Sequence, residues 1–380
     1  MSDLISRGVF AGPMDTDALG ISDLDILQID GVWHLYATTR ARAGITTFEM
    51  DVSGGLLFQA RMPVETYAGF PPTDHVFITT DDALFFQGIG RNLTQFDSYA
   101  PTPDGTIEAA SSLSFSGGPT TSILSIATYS AGGQNFAITS QFGSATLQIY
   151  RQDSSDRFTL VSQAAFTEAA TTRLATVTVG AQTYVFATTD VSVDAFRVGN
   201  DGRLTPLSQG DALVGLGLSN PSHIKAVTLG DIPHILVAGL GSYSLSVLLV
   251  LDTGALVSTD HVMDDQTARF AKISEIAVVE SNDRVFLAVA GSDSGFSLLE
   301  LLPDGRLLAH ATVADALDTT LANVSGLAMF VQGDVLRIYV TSETEAGITQ
   351  FEFDIGAGGV TIRGTDTADV LTGTQDNDVL

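Results

Sequence analysis

No cysteine occurs among the 380 residues, so no disulfide staples this chain and no thiolate holds a metal in it. Positive charge is also scarce: 17 Lys and Arg stand against 44 Asp and Glu, for a formal net charge of −27. That balance excludes a nucleic-acid partner, because phosphate binding needs a Lys/Arg surface. It argues equally against docking on an anionic membrane. No run reaches the ~18 consecutive apolar residues of a spanning helix, so membrane insertion is not expected. The opening "MSDLISRGVFAG" has none of the basic patch, apolar core and small-residue cleavage site of a secretory signal. Taken alone, these absences describe a soluble cytoplasmic protein. No stretch keeps the 3.6-residue apolar period of a long helix either.

What is present is an apolar content of 44%, ample for a core, and a conspicuous internal repeat. The segment "HLYATTRARAGITTFEMD" (34–51) returns as "IYVTSETEAGITQFEFD" (338–354): an apolar strand, a polar turn, then an alternating aromatic strand. The frame recurs at 184–198 and 285–301, and more weakly at 84–99, 136–150 and 235–250. Each copy follows a short strand that opens at Ser22, Asp74, Thr121, Thr172, Ser222, Ser274 or Ser325, which gives seven units about fifty residues apart. A fourth strand follows each copy after a tight turn such as "PDG" (103–105), "NDG" (200–202), "DTG" (252–254) or "PDG" (303–305). Asp-Gly turns supply the positive φ that hairpins need.

Four short strands per unit at this period predict an all-β, seven-bladed β-propeller over residues 1–361. The stretch "LISRGVF" (4–10) resembles the fourth strands at 160–166 and 256–263. It is therefore expected to complete the last blade by pairing around Phe351 and Phe353; the rival is that "VTI" (360–362) supplies that strand.

Ligands of propellers sit over the central channel, on the face formed by the loops that enter the first strands and those between strands two and three. The residues after the seven openings are Asp23, His75, Ser122, Arg173, His223, Glu275 and Gly326. This ring of histidines, an arginine and carboxylates suits acid–base chemistry or the binding of a polar ligand. The loops between strands two and three add Arg40, Arg42 and Arg91 on one rim, and Asp190, Asp293, Glu343 and Glu345 on the other. No nucleophile-and-base motif or phosphate loop accompanies them. His34, His234, His261 and His310 sit singly and read as packed or solvated residues.

With its "F-x-x-x-x-DG-x-L" strand ends, the repeat resembles the lactonase-type seven-bladed propellers that include phosphogluconolactonase-like proteins. "NPSHI" (220–224) is similar to the His-bearing start of a first strand in that family. The resemblance implies lactone opening by His, Arg and Glu side chains on this face, carried here by His223, Arg173 and Glu275, with His75 as a further candidate.

The tail departs from this pattern. "GTDTADVLT" (364–372) and "GTQDNDVL" (373–380) each begin with glycine and carry Asp at the sixth position. They resemble the hemolysin-type (RTX) repeat, whose glycines permit sharp turns and whose turn carbonyls and Asp carboxylates give Ca2+ its hard oxygen ligands. The resemblance makes residues 362–380 the start of a parallel β-roll, with Gly364, Asp366, Asp369, Gly373, Asp376 and Asp378 as the calcium-binding positions. Two units cannot close a roll, so the array is expected to continue past Leu380. Proteins with such repeats leave the cell by type I secretion without an N-terminal signal and are acidic and cysteine-poor, which implies an extracellular or cell-surface location. The leading expectation is thus a secreted, calcium-binding RTX-type protein whose propeller binds an extracellular glycan, surface component or protein. The alternatives are a lactonase-like hydrolase and a structural component of an extracellular assembly.

Overall fold

The computed structural model describes residues 4–10, 18–40, 43–64, 73–80, 83–93, 97–110, 113–153, 156–165, 173–207, 216, 218–265, 267–356, 358–361 and 377–379, the last two stretches by backbone only. The chain opens with β1 (Ile5–Phe10) and then builds its blades in order. Blade 1 is β2 (Ile21–Ile29), β3 (Val32–Thr39), β4 (Gly44–Met50) and β5 (Leu56–Pro63). Blade 2 is β6 (Asp74–Thr79), β7 (Leu84–Ile89), β8 (Ser98–Pro101) and β9 (Ile107–Ala109). After β10 (Ser114–Ser116), blade 3 runs through β11 (Ile123–Ala131), β12 (Gln134–Gln141), β13 (Thr146–Gln152) and β14 (Arg157–Ala165). Blade 4 holds β15 (Leu174–Val179), β16 (Gln182–Thr188), β17 (Val193–Val198) and β18 (Leu204–Leu207). Blade 5 holds β19 (Pro221–Leu229), β20 (Ile232–Gly239), β21 (Ser244–Val250) and β22 (Leu256–Met263). Blade 6 holds β23 (Glu275–Ser281), β24 (Arg284–Ala290), β25 (Gly295–Leu301) and β26 (Leu307–Ala314). Blade 7 takes β27 (Val324–Gln332), β28 (Val335–Ser342) and β29 (Ile348–Asp354), and its fourth strand is β1.

The ring therefore closes as expected, with Ser6 opposite Phe351 and Phe10 opposite Ile348. Arg7 reinforces the closure by binding Glu352 through its Nε at 2.6 Å. The rival strand does not take that place: β30 (Gly358–Thr361) pairs in parallel with β31 (Asn377–Val379) instead. One further element escaped the sequence. β10 adds to β14 in parallel, giving blade 3 a fifth, outermost strand that covers its edge.

Among the described residues the apolar core divides into seven clusters, and each lies between two neighbouring blades. Phe86 and Tyr99 of blade 2 meet Tyr36 and Ile45 of blade 1; Phe136 and Ile149 of blade 3 meet Leu174 and Val185 of blade 4. Middle strands are thus covered on both sides, and β25 is buried at every position. This two-sided burial is why the sequence reads as continuous apolar runs rather than a clean alternation.

The turns between third and fourth strands lock the seams. Gly54, Gly105, Gly202, Gly254 and Gly305 all take φ near +80°, between 75° and 82°, a region where a Cβ is strained. Each also presses on the preceding blade. A Cβ on Gly105 would lie 2.0 Å from the His34 ring, and one on Gly202 would lie 2.2 Å from Phe136. Tyrosines seal the same contact: Tyr36 Oη donates to Gly105 O at 2.8 Å, Tyr129 Oη to Gly202 O at 2.8 Å, and Tyr339 Oη to Gly54 O at 2.6 Å. Near the channel, Ser222, Ser274 and Ser325 donate their hydroxyls to the carbonyls of Ile273, Val324 and Ile21, each on the following blade.

The turn glycines give a two-part expectation. Gly202→Ala incurs both backbone strain and the clash with Phe136, a loss of about 2–4 kcal/mol. Gly133→Ala, also at positive φ but with open space where the Cβ would go, loses only about 1 kcal/mol. Urea unfolding of the two variants beside the parent checks the difference; equal losses would mean the seam contact contributes nothing.

Candidate functional site

The inner strands β2, β6, β11, β15, β19, β23 and β27 surround a central cavity of about 770 Å³. It is lined at one mouth by charged side chains from the strand starts, because each first strand begins beside the channel axis before it turns outward. Alternation along a strand then puts every second residue on the same wall. Asp23 and Asp25 share a wall on β2, as do His223 and Lys225 on β19.

Four residues picked from the sequence ring meet at this mouth: Asp23, Arg173, His223 and Glu275. Two positions shift. In blade 2 the ring place falls to Asp74, one residue earlier than His75. The backbone shows the equivalence: His75 N donates to Asp23 Oδ2 at 3.0 Å, as Leu174 N donates to Ser125 Oγ at 3.2 Å, so His75 corresponds to Leu174 and Asp74 to Arg173. The opening of blade 2 is Thr73 rather than Asp74. Thr73 N donates to Ile89 O as Ser274 N donates to Ala290 O, and Asp74 pairs with Ile89 as Glu275 pairs with Ala290. In blade 3 the place belongs to Ser125 rather than Ser122. Ser122 has φ of 54° and takes the turn position filled by Asn220 and Asn323 in blades 5 and 7. Gly326 contributes no side chain, since a Cβ there would lie 2.9 Å from Thr341 and 3.1 Å from Leu24.

Arg173 reaches past blade 3, where Ser125 leaves room, to within 3.7 Å of Asp74 Oδ2. Its Nη1 also donates to the carbonyl of Leu124. Asp25 shares a hydrogen bond with Asp23. Thr38 Oγ1 and His75 Nδ1 are bonded at 2.7 Å, which turns one edge of this imidazole into the seam. Asp74, Asp25 and Lys225 were not singled out from the sequence; the alternation of first-strand positions is the signal that finds the last two.

Burial and mutual repulsion reset the acids. Asp23 is held well above the usual carboxylate range, first by burial and then by Asp25, Asp74 and Glu275. Asp25 is pushed up to about 7 by burial and Asp74, against the pull of Lys225. Glu275 is pushed up to about 8 by burial and Asp74, against Lys225 and Arg173. The histidines move the other way. His223 falls to about 3 through burial, then Arg173 and Lys225; His75 falls to about 4 through burial, with Asp74 opposing. At neutral pH the mouth therefore holds a protonated Glu275 and two neutral imidazoles, a concentration of shifted groups typical of functional sites.

The rim is less polarised than its sequence suggests. Blades 1 and 7 are neighbours in the closed ring, so Arg40 and Glu343 pair directly at 2.8 Å, and Asn323 Nδ2 donates to Glu343 at 3.0 Å. Arg91 lies over the Phe142 ring, 3.8 Å from its centroid. The carbonyl of Asp190 accepts from Asn220 N at 2.7 Å. That of Asp293 accepts from Arg269 Nη1 at 3.0 Å, while burial raises the pKa of the Asp293 carboxyl. Glu345 accepts from Ala322 N, and Arg42 lies outside the described residues. His34, His234, His261 and His310 stay away from the cavity; His310 binds Glu300 at 2.6 Å, beside Arg284.

Gly364, Asp366, Asp369, Gly373 and Asp376 lie outside the described residues, and Asp378 falls on β31, of which the backbone alone is described. Among the described residues no group of three or more His, Asp or Glu side chains is arranged to hold a metal ion.

Seven four-stranded blades around a polar channel define a seven-bladed β-propeller. No family model matches the chain, and no curated protein is similar to it in sequence. Among solved structures it is similar to a functionally unknown protein from Desulfotomaculum acetoxidans DSM 771. The TM-score is 0.53 at 15% identity, with 87% of this chain and 99% of that one covered. That likeness concerns the fold alone.

The shifted acids imply a definite pH profile. Between its unfolded pKa (about 4.5) and its folded value near 8, the native protein keeps a proton on Glu275 that the unfolded chain has lost. Stability therefore falls as pH rises through that interval. His75 and His223 oppose this below about 6.5, because they stay neutral in the fold while the unfolded chain takes up protons. Above about 6.5 the carboxyls act alone. Glu275→Gln is expected to raise the melting temperature by ~2 °C or more at pH 9, and by little at pH 6. A melting-temperature series across that range checks the sign; a parallel shift at all pH values would contradict it.

Proposed function

We propose that this is a secreted, calcium-binding RTX-type protein whose propeller is an extracellular binding module, with the central channel mouth as its ligand site. The observation that carries the binding assignment is the mixed constellation at that mouth. Asp23, Asp74, Arg173, His223 and Glu275 converge from five blades on one cavity of about 770 Å³. Such a volume suits a sugar-sized ligand. Donors and acceptors of both charge signs suit a polyhydroxylated ligand, which needs several hydrogen bonds fixed in direction. Two features support the calcium and secretion assignments. β30 and β31 pair in parallel, with Gly358 opposite Asn377 and Thr361 opposite Val379, 19 and 18 positions on across a register shift. That spacing is close to two nine-residue units, and a roll with one unit per side brings strands two units apart next to each other. The net charge of −27 suits a cation-collecting extracellular protein.

A lactonase-like hydrolase is the second reading, and one observation favours it. Glu275 keeps its proton at neutral pH in a site that also holds Arg173, so a general acid and an oxyanion partner are both at hand.

Glycan arrays and pull-downs from cell surfaces, with and without Ca2+, test the first reading; blank results in both would overturn it. A lactone panel tests the second. If hydrolysis occurs there, Glu275→Gln and Arg173→Ala are each expected to lower kcat about 100-fold, and silence across the panel removes the enzyme reading.

A further inference from the structure

The channel mouth is divided by charge, and its cationic side has donors to spare. Arg173 comes from blade 4, His223 and Lys225 from blade 5 and Glu275 from blade 6, three consecutive blades. Both cations act on His223 and on Glu275, so these four side chains gather on one side of the mouth. Asp23, Asp25 and Asp74 stand on blades 1 and 2, across the axis. Arg173 gives Nη1 to the Leu124 carbonyl and stays 3.7 Å from Asp74 Oδ2, beyond hydrogen-bond range. Its Nη2 has no partner among the described residues, and the side chain keeps 27% of its surface exposed. Lys225 is exposed, with neither an ion pair nor a hydrogen bond among the described residues. Two cations with donors left over, facing one cavity, are placed to receive an anion. His223, half-buried on the same wall, adds an acceptor, because its neighbours fix its tautomer. Ser222 Oγ donates its one hydrogen to the Ile273 carbonyl at 3.2 Å, so its bond with His223 Nδ1 at 3.1 Å needs the proton on the imidazole. The neutral ring then keeps a lone pair on Nε2, which has no partner among the described residues.

We infer that the cavity takes a hydroxycarboxylate, whose carboxylate lies on Arg173 Nη2 and Lys225 Nζ and whose hydroxyl donates to His223 Nε2. This rests on the binding reading of the channel and names the ligand class for it. The nearby acids do not forbid an anion, because burial and mutual repulsion leave protons on them. Asp23 is held well above the carboxylate range, Asp25 is raised to about 7 and Glu275 to about 8. A protonated Glu275 donates to the ligand carboxylate, and an ionised one repels it. Affinity therefore falls as pH rises from about 6.5 to about 9, the interval in which Asp25 and Glu275 lose protons. His75 and His223, lowered to about 4 and about 3, stay neutral throughout it. Arg40 at the rim is held by Glu343. The net charge of −27 repels an anion at long range, where salt screens it, whereas the donors act at contact.

Calorimetric titration of the full chain with four probes tests this. Gluconate and glucitol share one hydroxylated chain, with and without the carboxylate; hexanoate has the carboxylate without hydroxyls; a galacturonic acid trisaccharide presents the same chemistry from a glycan. At about pH 6.5, gluconate or the trisaccharide is expected to bind about tenfold more tightly than glucitol and hexanoate. Whichever of the two binds better identifies the source as a free acid or a sugar chain. Lys225→Gln, at an exposed position that the fold tolerates, should weaken that binding about tenfold. The parent should lose about tenfold between about pH 6.5 and about pH 9, and Glu275→Gln, neutral at both, should lose less. Binding of glucitol or hexanoate as tight as that of the hydroxycarboxylates, or unchanged or tighter binding by Lys225→Gln, overturns the assignment and leaves the binding module standing. Silence from all four probes also overturns it, and the wider reading then depends on the arrays and pull-downs.

Discussion

The seam between neighbouring blades is the contact on which everything else in this protein depends. Among the described residues no blade has a core of its own; each apolar cluster belongs to two blades at once. The turn glycines and their tyrosine partners set how closely the blades approach. With Gly202 against Phe136 and its carbonyl under Tyr129, blades 3 and 4 have one fitting distance and little freedom to slide. A side chain at the glycine would wedge the outer seam open, and a wedge in one sector must be absorbed by the other six.

The channel follows from the same geometry. Flat sheets packed at an angle meet along their outer strands but leave space at the axis, where the first strands diverge. Water or ligand fills that space, so charged residues are tolerated there as nowhere else in the core. Tolerance comes with a penalty: burial and mutual repulsion raise the pKa values of Asp23, Asp25 and Glu275, Asp25 to about 7 and Glu275 to about 8. A site assembled from blades 1, 2, 4, 5 and 6 also has no local sequence motif, because its members are separated by whole repeats.

This explains which features the sequence disclosed. The repeat of about fifty residues, the Asp-Gly turns and the closing strand at 4–10 are local or periodic, and all of them were readable. So were Asp23, Arg173, His223 and Glu275, since counting from a strand opening locates them. His75 and Ser122 were misplaced because the strand openings were set one residue late in blade 2, at Asp74 instead of Thr73, and three residues early in blade 3, where Ser122 holds the turn position of Asn220 and Asn323. Those openings are defined by hydrogen bonds between strands and leave no composition signal. Lys225 and Asp25 needed only the two-residue period, applied one step further. β10 could not be foreseen, for it is three residues long and joins blade 3 through a parallel pairing to β14.

Ring closure by β1 has a temporal consequence. Residues 5–10 pair with residues 348–352, so the last blade joins the two ends of the chain at a sequence separation of more than 330 residues. Contacts of that span form late, after the loop they close has been organised by shorter-range pairings. The cavity mouth, which borrows side chains from blades 1 and 6, has its final shape only once that late step is complete. A growing chain therefore presents separate blades with acids open to water and no pocket. The cavity belongs to the finished ring alone.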